Sequence, residues 1–470
     1  MYENKNFGII LQYLYFQGDI KMLSIQEQIY GVSLIWNEAK YNFAFWNVRK
    51  NIDWDAEYQK LLNKVTKPME LLDYYLELSR FVSLLNDGHT HIDFPKEVSK
   101  DFMALPVKIK NYSGKHIITN TAEGCSIPIF SEIYKINGVD FDAYMREKIL
   151  PYCWNIKLTS TYEMLYTFTA YSGVDGNADK SAYAFIPIME KNKDIEFNTS
   201  NGIFTLSPCL RNIEWSLPQK LKCGEKLTNI FSSDGLIISY TDDNIAVINL
   251  PTFTDDSMPN NFYTHLDKLK DCKGFVIDIR NNGGGHSNNA DAFSQAFING
   301  EFQTGKIKHP VHNAAYYAWG KGSDFSAMDL NDTWTKKVYD VCNNNLFEEE
   351  IATAYYPNCL VTLNQPVIIL ENAATGSSSE NLLINFDNIG RATIVGVPSY
   401  GTTGNPLFIK LPGGGMARIC TRRYTYPNDK EFINIGIEPH IYADLTLDDL
   451  LNGRDSILNK GLSVLREKTL

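Results

Sequence analysis

The C-terminal half of the chain alternates strand-length apolar runs with stretches of helical spacing, and that alternation limits its fold more than any other feature. From about residue 231 the runs NIAVINL, GFVIDI, VIIL and ATIVGV are separated by helical-looking segments through NNFYTHLDKL, DAFSQAF and the residues after VIIL. Unbroken apolar runs of this length suit strands buried on both faces. Strand and helix in turn predict an α/β core, a mixed sheet covered by helices, with functional loops at the strand carboxyl ends.

One such loop carries a serine. Between VIIL and the next helix lies ENAATGSSSE, after which Leu382, Leu383, Phe386 and Ile389 recur at helical spacing and Gly390 supplies a stop. Ser377 therefore stands at a helix start, where backbone N–H groups lack intrahelical partners and carry the positive end of the helix dipole. A nucleophile there would have oxyanion donors beside it. Ser377-x-x-Glu380 is also a capping box, which by itself is only structural, and Ser378 and Ser379 are rival nucleophiles. A second loop, IDIRNNGGG, ends in Gly283, Gly284 and Gly285. Consecutive glycines let the main chain approach a ligand and turn N–H groups into one concavity, so this loop is a candidate for a further oxyanion donor. A phosphate loop is the weaker reading, since neither G-x-G-x-x-G nor G-x-x-x-x-G-K-[ST] is present. An α/β-hydrolase esterase is disfavoured because G-x-S-x-G is absent around Ser377.

Upstream the pattern changes twice. Residues 20–97 read as a helical domain through IQEQIYGVSLIWNEAKYNF, AEYQKLLNKV and MELLDYYLELSRFVSLL. Residues 98–230 read as a β-rich domain of short strands, LPVKIK, HIITNT, EIYKINGVD, SAYAFIPIM and GIFTLS, and 231–470 form the core. Near the end, PLFIKLPGGGMARICTRRYTY predicts a hairpin and DDLLNGRDSILNKGLSVLRE a closing helix pair.

A net charge of −11 and a sequence pI near 5.3 argue against a nucleic-acid partner, because no basic stretch is available to neutralise phosphates. No segment reaches the roughly 18 apolar residues of a membrane span. The eight cysteines are scattered without C-x-x-C, which points to neither a zinc site nor a compact disulfide framework and leaves open one or two long-range bridges. No cofactor is expected, and no metal, since no His/Cys/Asp/Glu set has ligand spacing. FGIILQYLYFQG at 7–18 has the length of a signal peptide, although Glu3 dilutes the positive region and no A-x-A-like site follows; LYFQG also resembles part of a tag-cleavage sequence.

IDIRNNGGG, SSSE, IVGVPSYGTTG and INIGIEPHI, in that order, resemble the carboxy-terminal processing (tail-specific) serine peptidases, particularly their tricorn-like branch. The resemblance covers residues 235–465, and LLNDGHTHI extends it to the amino-terminal region. It implies a core of the crotonase-like and ClpP-like type and a serine peptidase acting on peptide or protein substrates. In the middle region, EIYKINGVDFDAYMREKI resembles part of a PDZ domain, a structural β-sandwich insert being the alternative. Relatives of this architecture are often exported, so the resemblance points to secretion or the periplasm over the cytoplasm.

Ser377 inherits the nucleophile by position. The processing branch has its lysine base 25 residues after the serine, and here that residue is Thr402. The tricorn-like branch uses a histidine in the segment matching NDGHT, which makes His89 the expected base and His91 the fallback. A neutral imidazole can accept the serine proton and return it to the leaving amine, whereas a threonine hydroxyl cannot. That branch has a serine before its histidine, in a link to a glutamate; this chain has Gly88 there, and Glu431 is the nearest carboxylate to the family's glutamate region. The N–H groups of Ser378 and Gly284, with Gly283 and Gly285 as alternatives, are the expected oxyanion hole. A non-catalytic relative that binds peptides in the same cleft is the rival function, motivated by the missing lysine.

Overall fold

The computed structural model describes residues 22–99, 102–112, 114–153, 182–209, 215, 222–311, 313–356 and 362–469. The apolar 7–18 segment lies outside them. The predicted amino-terminal helices form as α1 (Ile25–Asn42), α2 (Trp54–Val65) and α3 (Leu71–Ser83), and Ser24 and Asp53 cap the first two. After α3 a loop leads into β1 (His91–Asp93).

The middle region holds two small antiparallel sheets. One pairs β2 (Val107–Tyr112) with β3 (Lys115–Thr121). The other joins β4 (Ile133–Ile136), β5 (Val139–Asp140), β6 (Ile195–Thr199) and β7 (Gly202–Leu206) in the order β5-β4-β6-β7. Asn137 and Gly138, with φ of 47° and 78°, make the predicted Asn-Gly turn between β4 and β5. The strand predicted from SAYAFIPIM does not form. Ala182–Phe185 is a 3-10 turn and Ile186–Met189 a short helix with Pro187 in its first turn, where proline's fixed φ and missing N–H suit a helix start and not a ladder.

The core is a seven-stranded mixed sheet made from β8 (Thr228–Ser232), β9 (Ile237–Tyr240), β10 (Ala246–Asn249), β11 (Phe275–Asp278), β14 (Val367–Glu371), β15 (Thr393–Gly396) and β19 (Ile441–Tyr442). From β10 through β11, β14 and β15 to β19 the strands are parallel, and β9 and β8 close the edge antiparallel. Strand alternation splits the apolar residues between two faces. Val276, Ile368, Leu370 and Val395 pack with Ile457, Leu462 and Leu465 of the closing helix (Ser456–Thr469). Phe275, Ile277, Ile369 and Ile394 face α4 (Ser287–Gln295) and the helix that follows Ser377. Each fully buried Leu, Ile or Phe contributes roughly 1.5–3 kcal/mol relative to exposure, so a continuous two-faced core fixes the strand ends to which the site is attached.

Between β11 and β14 the chain makes an arm that the sequence pattern does not announce. β12 (Phe302–Pro310) pairs along its length with β13 (Phe347–Ala354), with helices α5 (Ala314–Gly320) and α6 (Thr333–Cys342) between them. The expected hairpin is present as β16 (Pro406–Lys410) and β17 (Met416–Cys420), and β1 adds to it antiparallel, His91 opposite Arg418. That pairing carries the amino-terminal loop to the core. No helix among the described residues is long and apolar enough to cross a membrane, and the seven described cysteines are free.

Candidate active site

The strand β14 ends at Glu371, six residues turn, and α7 (Ser378–Asp387) begins. Ser377, the residue before the helix, has φ 55° and ψ −121°, a backbone shape that a side-chain-bearing residue adopts at a cost of order 1–3 kcal/mol. Its neighbours hold it there. The N–H of Ser377 donates to the Thr402 carbonyl at 2.8 Å and to Glu380 Oε2 at 3.2 Å, the second being the reach-back half of the expected capping box. The Gly376 N–H donates to Asn282 O at 3.1 Å, Ser379 Oγ to the same carbonyl at 2.9 Å, and Ser378 Oγ to Gly285 O at 2.6 Å. The serine turn and the glycine loop are thereby one bonded unit.

This arrangement separates the three serines. From Ala374 to Phe386 every residue except Ser377 is buried, and the hydroxyls of Ser378 and Ser379 are donated to loop carbonyls. Ser377 alone presents surface. The glycine loop leans on it closely: a Cβ on Gly284, whose φ is +100°, would lie 2.6 Å from Ser377 Cβ and 2.9 Å from the Ser378 nitrogen. The Gly284 N–H itself donates to Asn282 Oδ1 at 2.9 Å, so its evident contribution is close approach. Gly283 and Gly285 are the exposed glycines of the loop.

Behind the serine lies Glu380, wholly buried. Ser399 Oγ at 2.7 Å and the Gly401 N–H at 2.5 Å donate to its Oε1; the Thr402 N–H at 3.0 Å and Thr403 Oγ1 at 2.8 Å donate to Oε2. Burial pushes this carboxyl up to about 7 against the pull of those bonds. Glu380 thus ties the start of α7 to the GTTG loop.

His89 arrives from the other end of the chain. Its loop is fixed by buried Asp87, which accepts from the His89 N–H at 3.1 Å and from Thr90 Oγ1 at 2.6 Å. Arg49 clamps the same loop, Nε to Leu85 O at 3.0 Å and Nη2 to Asn86 O at 2.7 Å. Thr90 Oγ1 accepts the Cys420 N–H of β17 at 3.0 Å, which joins the loop to the hairpin. The imidazole Nδ1 lies 2.7 Å from Thr402 Oγ1. Its surroundings press its pKa down to about 4, first by burial and then through the nearby His91 and Arg418. His91, one residue into the strand, turns to Asp93, Nε2 to Oδ1 at 3.5 Å.

The site therefore brings together Ser377, Ser378, the glycine loop and His89, with Thr402 between serine and histidine. It does not bring Glu431 to His89. That carboxylate bonds Arg423, Oε1 to Nη2 at 2.6 Å, beside a cluster in which Lys306 and Lys308 pair with Asp429. Sequence reasoning missed two members: Thr402 as the partner of the histidine, and Glu380 as a buried anchor rather than only a cap. For Thr402 a signal existed in its place 25 residues after Ser377. Among the described residues no group of three or more His, Cys, Asp or Glu side chains is placed to hold a metal ion.

The sequence from 244 to 443 matches the model of peptidase family S41. Ser377, the glycine loop, Thr402 and Glu431 lie inside the S41 segment, whereas His89 lies outside it. A carboxy-terminal-processing protease of Bartonella bacilliformis is 27% identical over 194 residues, which is 41% of this chain and 36% of that protein's length. In fold the chain is similar to mature CPAF complexed with lactacystin, with TM-score 0.66 and 14% identity over 95% of this chain and 99% of that one. A putative peptidase from Parabacteroides merdae is similar with TM-score 0.52 and 17% identity, over 94% of this chain and 97% of that one. Both likenesses cover more than nine-tenths of this chain.

Proposed function

We propose that the chain is a serine-type peptidase that cleaves peptide bonds through an acyl-enzyme on Ser377, with His89 as general base. The observation that carries this reading is the lone partly exposed serine, held at positive φ on a helix start and linked through one residue to a histidine kept neutral. In the acylation step Ser377 Oγ bonds to the scissile carbonyl carbon as its proton passes to the imidazole. The oxyanion is held by the Ser378 N–H, at the first position of α7, and by an N–H of Gly283 or Gly285. Collapse breaks the C–N bond, and the imidazolium gives its proton to the leaving amine. Water then repeats the sequence and releases the acid. Glu431 has no part in this reading, because its carboxylate is engaged by Arg423.

Further readings follow the same likeness. The substrate is a peptide or protein, and the core is of the crotonase-like and ClpP-like type. The β4–β5 hairpin followed by the short helix Phe141–Tyr144 supports a PDZ-like element, which peptide binding by the full-length Ser377→Ala chain would test. Export to the periplasm or outside the cell is read from the relatives, and fractionation of producing cells decides it.

The deciding experiment for the activity is covalent labelling by a fluorophosphonate. Wild type should be modified at Ser377 and the Ser377→Ala chain should not. Equal labelling of the mutant removes Ser377 as nucleophile. No labelling of a folded wild type favours the non-catalytic binding reading.

A further inference from the structure

We infer that Thr402 is the positioning residue for His89: its hydroxyl holds Nδ1, so that Nε2 is the nitrogen left to take the proton of Ser377. This rests on the Ser377–His89 reading above and assigns a role that no carboxylate in the site fills.

Three bonds of one residue carry the inference. The Thr402 carbonyl accepts the Ser377 N–H at 2.8 Å, its N–H donates to Glu380 Oε2 at 3.0 Å, and its Oγ1 lies 2.7 Å from His89 Nδ1. With both backbone groups engaged and the residue 3% exposed, the direction of the hydroxyl depends on χ1 alone, and a β-branched side chain is stiff there. The position of the imidazole is therefore slaved to the same loop that positions the nucleophile. A histidine whose Nδ1 donates to an acceptor carries its lone pair on Nε2, which fixes the tautomer as a carboxylate would. The partner here is neutral.

The groups around the ring agree with that assignment. The Asp87 carboxylate spends its bonds on the His89 N–H and the Thr90 hydroxyl rather than on the ring. His91 pairs with Asp93, and Arg418 Nε bonds Asp93 Oδ2 at 2.7 Å, so the charges facing His89 from β1 and β17 are cationic or already paired. Thr402 thus occupies the place in which the processing branch has its base, and it serves the base instead of being it.

The test uses the full chain with Thr402→Val, which keeps the shape and both backbone bonds, and Thr402→Ser, which keeps the hydroxyl. Ring nitrogen chemical shifts of His89, assigned with His89→Asn, report the tautomer independently of activity, and the second-order rate of fluorophosphonate labelling reports the nucleophile. Wild type and Thr402→Ser should show the Nδ1–H tautomer. In Thr402→Val the tautomers should mix and labelling should slow about tenfold or more, with Thr402→Ser within about threefold of wild type. An Nε2–H tautomer in wild type overturns the proposal, as does a folded Thr402→Val with unchanged shifts and rate. Should Thr402→Val not fold, the wild-type tautomer and the Thr402→Ser rate decide alone. A wild type that shows Nδ1–H at His89 but never labels at Ser377 refutes the peptidase reading and leaves the positioning intact, so the two failures are distinct.

Discussion

Adding one methyl group at Gly284 should slow the reaction of Ser377 far more than it destabilises the chain. The new Cβ would stand 2.6 Å from Ser377 Cβ and 2.9 Å from both the Gly376 carbonyl oxygen and the Ser378 nitrogen, whereas ordinary contact begins near 3.4 Å. Relief therefore requires a shift of 3.4 − 2.6 = 0.8 Å between the loop and the nucleophile. A displacement of about 1 Å from attack geometry costs on the order of 10²-fold in rate. In stability, the substitution adds roughly 1–2 kcal/mol for a side chain at φ +100° and roughly 1–3 kcal/mol for overpacking. Against the usual 5–15 kcal/mol of a native fold that leaves the chain folded. The control is next door: Gly283 has open space where its Cβ would be, and alanine keeps its N–H. Urea unfolding and the second-order rate of fluorophosphonate labelling should give Gly283→Ala near wild type in both, and Gly284→Ala stable yet about 10²-fold slower. A Gly284→Ala chain labelled within threefold of wild type, or a Gly283→Ala chain equally slow, refutes the argument that close approach is what this glycine supplies.

Two further outcomes are expected. Because His89 is held down near 4, kcat/KM should stay flat as pH falls through the ordinary histidine range and drop with a midpoint near 4; an inflection near 6.5 would mean that the imidazole is not enclosed. The linkage has the matching sign: a depressed imidazole stabilises the fold fully above its unfolded pKa of about 6.5, and that contribution, about 3 kcal/mol at 1.36 kcal/mol per unit, is lost between there and pH 4. Arg49→Ala removes two charge-assisted bonds to the Leu85 and Asn86 carbonyls, so urea unfolding should report a loss of about 3 kcal/mol, with slower labelling of Ser377 because the His89 loop is released; an unchanged labelling rate would separate the loop from the chemistry.

Much of this was legible because it is local. VIIL, GFVIDI and the amino-terminal helices follow from apolar spacing; Ser377 was singled out at a helix start beside a glycine loop, and His89 only through the family resemblance. What escaped depends on groups far apart in the chain. Thr402 and His89 are 313 residues apart, and no local pattern says which hydroxyl a histidine will meet. Glu431 reads in the sequence as an available carboxylate, but Arg423, eight residues before it, engages it in the fold. The Gly284 N–H was expected to face the oxyanion, yet the Asn282 side chain two residues back takes it in an Asx-type local bond. SAYAFIPIM has a strand's composition, but Pro187 decides its backbone. The helix expected through NNFYTHLDKL is broken into Met258–Tyr263 and Leu266–Leu269.

The addition of β1 to the β16–β17 hairpin sets the moment at which the proposed site is assembled. His89 precedes in the chain both the strand that receives its loop, which ends at Cys420, and Thr402, whose hydroxyl lies 2.7 Å from its ring. A chain synthesised through Ser377 still lacks the hairpin that draws the proposed base to it. Long-range strand pairing of this kind is also slow to form. On the proposed mechanism, base and nucleophile therefore meet only once the hairpin through Cys420 has been made and β1 has paired with it.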